Sequence, residues 1–179
     1  EKQLLIFNYD LKLILHNKEA SRSTMLCDTF ADKFGRAGLF DCLAEIGYGA
    51  GKILENLSIL IKDSSIILNG YDISPHVIEI ASRIKSDRIK FLLCDLTEKE
   101  PADYDILLVI NVIEHIPDYL TFLERCRSKA KYEIFHIPLD VSALSVLLNR
   151  IVPKRYEISH LHYFTYEYTI TVLKDTVMK

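Results

Sequence analysis

The residues best placed for chemistry begin at Glu45. The stretch Glu45-Ile46-Gly47-Tyr48-Gly49-Ala50-Gly51 holds three of the chain's six glycines within five positions. Glycines so clustered let the backbone turn sharply and approach a ligand, and a helix that starts there offers free N–H groups. Asp72 follows Gly51 by 21 residues, a spacing that suits a carboxylate accepting hydrogen bonds from both hydroxyls of a ribose. A dinucleotide fingerprint reads G-x-G-x-x-G. Here the third glycine arrives one residue early and Lys52 occupies the expected place. Glu45 would add little to an anionic pyrophosphate but would give a cationic amine a charge-assisted hydrogen bond. These features point to a nucleoside with an amino-acid arm. Asp95 and Asn111 each follow a further apolar run and deliver two more polar groups.

Histidines supply the other candidates. His115 lies four residues beyond Asn111 and is the best general base for an acceptor that loses a proton as it reacts; a histidine that fixes the start of a helix fits it equally well. His136 sits inside an apolar run and reads as a hydrogen-bonded core residue. His160 and His162 alternate, and with Glu157 they could face a metal from one side of a strand. No third ligand stands at useful spacing, so no metal is expected. Arg150, Lys154 and Arg155 precede them, available to an anionic substrate or to solvent alone.

The elements that must position these residues alternate. Leu39–Ile46, Ser65–Tyr71, Ile89–Cys94, Tyr104–Ile110 and Tyr132–Ile137 are short apolar runs of the kind buried in parallel sheets. Helical periodicity fills the gaps at Lys52–Ile61, at Ser74-Pro75 to Ile84 and at Asp118 to Ala130. The alternation predicts an α/β fold: a Rossmann-like, doubly wound, mainly parallel sheet with helices on both faces. Glu45, Asp72, Asp95 and Asn111 then share the carboxyl edge of the sheet, where such folds bind ligands. Residues 1–37 carry apolar residues at helical spacing (Leu4, Phe7, Leu11, Ile14, then Met25, Phe30, Phe34) and predict an N-terminal helical extension of two helices. Beyond Pro138, Val141–Leu148 and Tyr166–Lys174 read as helical, with Tyr156–Thr165 as loop or strand between them.

Bulk properties exclude several classes. With 179 residues, 49% hydrophobic and 26% charged, the chain suits one domain with a full core and is neither disordered nor fibrous. A net charge of −3 gives no long-range attraction for nucleic acid. No apolar run approaches the length of a membrane span. Cys27, Cys42, Cys94 and Cys126 form no CxxC pair, and with no signal-peptide pattern they read as reduced thiols in the cytoplasm.

Taken together, Glu45–Gly51, Gly70-Tyr71-Asp72-Ile73-Ser74-Pro75, Cys94-Asp95-Leu96 and Asn111-Val112-Ile113-Glu114-His115-Ile116-Pro117 resemble the class I S-adenosylmethionine-dependent methyltransferases. The last segment is similar to the "VIEHIPD" stretch of their small-molecule branch, which includes quinone-biosynthesis enzymes. The resemblance runs over about residues 39–138 and implies a single domain: extension 1–37, cofactor-binding core 39–138, substrate-side segment 139–179. It implies that Glu45 holds the methionine amine and that the Gly47–Gly51 backbone passes beneath the methionine arm. Asp72, with Ile73 beside it, would take the ribose, Asp95 and Leu96 the adenine, and the Asn111 carbonyl the amino-acid end. His160-Leu161-His162-Tyr163-Phe164-Thr165 resembles a substrate-side wall of the same branch. Two departures stand out. Tyr48 replaces a small residue or cysteine and would crowd or shape the site, and no counterpart of the two strands that close the family's sheet after its last helix is read before Lys179, which implies either an incomplete chain or an unusual sheet edge. The implied activity is methyl transfer to a small-molecule acceptor. A nicotinamide-dependent oxidoreductase and a non-catalytic S-adenosylmethionine-binding module are the alternatives, and oligomeric state is open.

Overall fold

In the computed structural model, the described residues are 4–6, 27, 28, 30, 40–100, 102–149, 156 and 159–177. The strands are β1 (Leu4–Ile6), β2 (Cys42–Ile46), β3 (Ile67–Asp72), β4 (Ile89–Leu93), β5 (Tyr104–Ile110) and β6 (Ala130–His136). They form one sheet in the order β1-β6-β5-β2-β3-β4, with every neighbouring pair parallel. The helices are α1 (Lys52–Leu60), α2 (Pro75–Ala81), α3 (Tyr119–Cys126), α4 (Ala143–Leu147) and α5 (Tyr166–Thr176), with a 3-10 turn at Ile113–His115.

Successive residues of the central strands enter two different cores. Leu43, Leu68, Ile106 and Leu108 pack with Leu54 and Leu57 of α1, Ala81 of α2, and the buried Cys27 and Phe30. Ala44, Tyr71, Leu107 and Val109 pack on the opposite face with Tyr119 and Leu123 of α3 and Leu173 of α5. This alternation is the physical meaning of an apolar run without period: both faces of each strand are covered. After β2 the chain adds strands in one direction (β3, β4) and then in the other (β5, β6). The gap opens between β2 and β5, at the point where the order reverses.

The start of β2 is pinned at the other edge. Asp105 Oδ2 accepts hydrogen bonds from the backbone N–H groups of Asp41 (2.8 Å) and Cys42 (3.1 Å), which hold its carboxyl below the usual carboxylate range. A depressed pKa contributes stability that is present above the ordinary carboxylate range and lost as pH falls through it. Asp105→Ala is therefore expected to lower stability by about 1–3 kcal/mol at neutral pH and to flatten the acid limb of a melting-temperature profile.

One expectation needs correcting. Leu4, read at the start of a helix, lies in a strand: Leu4–Ile6 pairs parallel with Glu133–Phe135 at the open edge of β6. An unpaired strand edge offers a row of backbone donors and acceptors, and that tertiary demand outweighs an i, i+3, i+7 pattern. Cys27, Asp28 and Phe30 are helical, as expected of the second helix. The remaining residues of the predicted extension lie outside those described.

Candidate functional site

The turn after β2 is built by its glycines. Gly47, Gly49 and Gly51 take φ of 75°, 50° and 74°. Gly47 shows why no other residue fits. Its N–H donates to the Tyr71 carbonyl at 2.7 Å, and a Cβ there would meet Val112 Cγ2 at 2.5 Å. Gly47→Ala combines this overlap with the strain of positive φ, about 1–3 kcal/mol from the backbone alone. A fall in melting temperature together with weakened ligand binding is expected. An unchanged melting curve would contradict the geometry.

The strand-end acids are held by backbone donors. Asp72 Oδ2 accepts from Gly49 N–H at 3.2 Å and Oδ1 from Ser74 N–H at 2.9 Å. Asp95 Oδ1 accepts twice from Thr97, from its N–H (2.8 Å) and its hydroxyl (2.7 Å), which leaves Oδ2 for another donor. Asn111 adopts φ of 53°, a region asparagine tolerates better than most residues. Its side-chain oxygen lies 2.8 Å from His136 Nδ1, and its N–H donates to the His136 carbonyl at 3.0 Å. His136 is buried and hydrogen-bonded, as its place inside an apolar run suggests, and it orients Asn111.

Glu45 is 1% exposed, and its Oε2 has no hydrogen-bond partner. Burial, with the nearby Asp72 charge added, pushes its carboxyl up to about 8. A buried acid without a cation is costly, so this position asks for a positively charged partner.

A cavity of about 610 Å³ opens on the same edge. Its walls include Gly47, Asp72, Ile73, Asp95, Leu96, Asn111, Val112, His115, Phe122 and Arg125. The size suits a drug-sized ligand. At its rim, the segment 159–165 lies on the Ile113–His115 turn. Leu161 and His162 N–H groups donate to the Glu114 carbonyl at 2.8 and 3.2 Å. His162 Nε2 donates to the carbonyls of Ile116 (3.0 Å) and Pro117 (3.2 Å). His160 instead turns to Asp140, with Nδ1–Oδ2 at 2.8 Å.

This geometry can be compared with known proteins. A family model described as a methyltransferase domain matches residues 44–132. The chain belongs to the class I S-adenosylmethionine-dependent methyltransferases. It is 23% identical over 123 residues to a ubiquinone biosynthesis O-methyltransferase of Vibrio atlanticus, a match covering 65% of this chain and 48% of that enzyme. The chain thus spans about half the length of that relative. In fold it is similar to the magnesium protoporphyrin IX methyltransferase of Synechocystis, solved with bound SAH, with a TM-score of 0.64, 15% identity and coverage of 92% of this chain and 81% of that one. It is also similar to the phosphoethanolamine N-methyltransferase 2 of Haemonchus contortus, solved with S-adenosyl-L-methionine, with a TM-score of 0.66, 20% identity and coverage of 85% and 36%.

The site residues that the sequence predicts for a class I methyltransferase fall into three groups. Gly47, Asp72, Ile73, Asp95, Leu96, Asn111 and His115 reach the cavity wall. Glu45 lies behind the wall, and Gly49 reaches the site through its N–H to Asp72. Tyr48 and Gly51 serve packing. The Tyr48 ring is 4% exposed, lies with its centroid 4.9 Å from that of the Phe91 ring and belongs to the core on the α1 face, so it packs there instead of lining the cavity. A Cβ on Gly51 would meet Phe91 at 2.7 Å. Gly70, which the sequence places at the ligand edge, instead lies against Tyr48 and Leu54, where a Cβ would come within 2.8 and 2.9 Å.

Two functional-looking residues escaped the sequence reading: Glu114, which is buried, and Asp140, which holds His160. The signal for Glu114 was an acid directly beside His115; nothing in the spacing flagged Asp140. Residues 159–165 form no strand, so His160 and His162 do not share a strand face, and Glu157, Arg150, Lys154 and Arg155 lie outside the described residues.

Proposed function

We propose that this chain transfers a methyl group from S-adenosylmethionine to a small-molecule acceptor. The observation that carries the reading is Glu45, a fully buried carboxyl group with an unpartnered oxygen behind a glycine turn. Such a group fits an amino-acid ammonium and does not fit a pyrophosphate. When bound, the cofactor would supply an electrophilic methyl on a sulfonium, and the neutral thioether left behind needs no proton. Glu45 would hold the ammonium, directly or through water. Asp72 has lone pairs left on both oxygens after its bonds to Gly49 and Ser74, enough for the two ribose hydroxyls. Asp95 keeps Oδ2 for the adenine amine, with Leu96 beside the ring, and the Asn111 carbonyl faces the amino-acid end. His115, exposed at the cavity wall, would take a proton from an acceptor that must lose one. Most of the rate comes from orienting the acceptor in a site shielded from water.

Residues 139–179 would supply the acceptor side. The reading takes a small molecule rather than nucleic acid as partner, because the net charge is −3. It places the protein in the cytoplasm, with its four cysteines free. Among the described residues no helix is long and apolar enough to cross a membrane.

Calorimetric titration tests the proposal. S-adenosylmethionine and S-adenosylhomocysteine are expected to bind with one-to-one stoichiometry and NADH not at all. Binding of NADH alone would favour the oxidoreductase, in which Lys52 would have to stand in for the missing glycine. Cofactor binding without S-adenosylhomocysteine production across a broad panel of phenols, amines and carboxylates would favour the non-catalytic module.

A further inference from the structure

Glu98 and Arg125 meet at the end of the cavity that Asp95 and Leu96 mark. Glu98, in the loop after β4, accepts a hydrogen bond through Oε1 from Arg125 Nη1 in the last turn of α3. Arg125 lines the cavity with Thr121 and Phe122 of the same helix, and Thr97 lines it from the loop. The pair thus ties one cavity wall to the other. Its worth to the fold is small, because the two side chains are 47% and 61% exposed and ion pairs in that setting contribute little. Both walls are braced, however. Asp95 Oδ1 takes both donors of Thr97, and the Lys99 N–H donates to the Leu96 carbonyl at 3.3 Å. Lys129, 2% exposed, donates through its ammonium to the Lys99 carbonyl at 2.6 Å. A buried lysine is thereby committed to fixing the loop next to Glu98. On the other wall Asp118 caps α3 by accepting from Thr121 N–H at 3.3 Å, and Tyr119, Leu123 and Cys126 bury the helix. An arginine without a partner samples many rotamers. One tied to a braced carboxylate keeps one place.

We propose that the Glu98–Arg125 pair is a fixed bar across the nucleobase end of the cavity, and that Arg125 is a specificity-determining residue: it restricts the cofactor to a purine whose exocyclic amine carries no substituent. The inference rests on the assignment of adenine to Asp95 and Leu96. An amine that donates one hydrogen to Asp95 Oδ2 keeps a second. A group in place of that second hydrogen would have to extend past Asp95 into the space that Thr97, Phe122 and Arg125 line. To enter, it would displace the guanidinium and break its bond to Glu98. Binding sites reject close analogues by such built-in clashes as much as by better contacts to the right ligand. The unsubstituted base meets no such cost. It also gains from the bar, because excluding water strengthens the hydrogen bond between the amine and Asp95. A site of this kind needs its wall on rigid elements, which is what Lys129 and the α3 cap supply.

The test titrates two ligands calorimetrically into the full chain: S-adenosylhomocysteine and its N6-benzyl derivative. The wild-type chain is expected to bind the derivative about tenfold or more weakly than the parent. Arg125→Ala is expected to bind the parent about three- to tenfold more weakly and the derivative about tenfold or more tightly than wild type does. Its melting temperature should not move, as befits an exposed ion pair. A gain of binding is a result that damage to the fold does not produce. Glu98→Ala, which leaves the guanidinium in place but untethered, should shift both affinities in the same directions by less, and it carries the comparison should Arg125→Ala fail to fold. Glu124→Ala, at an exposed position of the same helix that does not line the cavity, should change neither. Equal affinity of the wild-type chain for the two ligands overturns the proposal. So does an Arg125→Ala chain that discriminates as strongly as wild type. Failure of the parent to bind the wild-type chain is a separate result: it removes the cofactor assignment and this proposal with it, whereas binding of the parent without discrimination removes the proposal alone.

Discussion

Asp72→Ala is expected to weaken S-adenosylmethionine binding by at least a hundredfold while the chain still folds. The carboxylate is fixed before any ligand arrives, because Gly49 and Ser74 N–H groups hold its two oxygens in place. Two hydroxyl donors from a ribose would then meet a pre-oriented anion, and hydrogen bonds to charged groups are worth about 1.5–3 kcal/mol each. Loss of both amounts to about 3–6 kcal/mol, and each 1.4 kcal/mol is a factor of ten. Alanine also frees the Gly49 and Ser74 donors, which loosens the glycine turn and adds to the loss. Asp72→Asn separates the contributions. It keeps one acceptor oxygen, so its affinity should fall between wild type and Asp72→Ala. Calorimetry gives the affinities, and circular dichroism with thermal melting shows whether the fold survives. Affinity for Asp72→Ala within tenfold of wild type would remove the ribose assignment.

The sheet was legible because its strands are apolar on both faces. Tyr104–Ile110 stands in the structure with its expected bounds. The other core strands differ at their ends: Cys42–Ile46 lies inside the expected Leu39–Ile46 because apolar residues precede the first ladder bond, whereas Ala130–His136 begins two residues before the expected Tyr132. The cavity residues were legible for a related reason: a polar residue that ends a buried parallel strand sits at the ligand edge whatever the loop does next. The direction in which a loop side chain turns was not legible. Tyr48 lies between two glycines at the site, yet its ring goes down onto Phe91 and Gly70. The backbone angles of Gly47 and Gly49 decide that direction, and no spacing rule encodes them. Gly70 misleads in the same way, since a glycine beside Asp72 serves the packing of Tyr48 and Leu54. Contacts between distant segments were also invisible. The bond between His160 and Asp140 spans 20 residues, and that between His115 and Ser159 spans 44. The β1 strand at the β6 edge belongs with them, since its partner lies more than a hundred residues away.

Glu45 should make both stability and ligand binding depend on pH, in opposite senses. Its ordinary pKa of 4.5 rises to about 8 in the ligand-free fold. Below 4.5 both folded and unfolded chains carry the proton. As pH rises from 4.5 to 8 the unfolded chain releases it and the folded chain retains it, so stability falls across that window and levels off above it. The full effect is on the order of 3–5 kcal/mol. Glu45→Gln removes the titrating group. It is expected to abolish this part of the slope and to leave the ligand-free variant more stable than wild type near pH 8, as measured by denaturant unfolding at successive pH values. An amino-acid ammonium reverses the balance, because a cation beside Glu45 favours the ionised form. Binding of S-adenosylhomocysteine at pH 6.5 should therefore release close to one proton, and affinity should rise about tenfold per pH unit from pH 6 toward 7.5. Calorimetry in two buffers with different heats of ionisation counts the proton directly. The same titration on Glu45→Gln should show weaker binding and little buffer dependence. Equal apparent heats in both buffers for the wild-type chain would mean that Glu45 keeps its proton in the complex. The cationic end of the ligand would then lie elsewhere, and the argument that the glycine turn selects an amino-acid arm over a pyrophosphate would lose its basis.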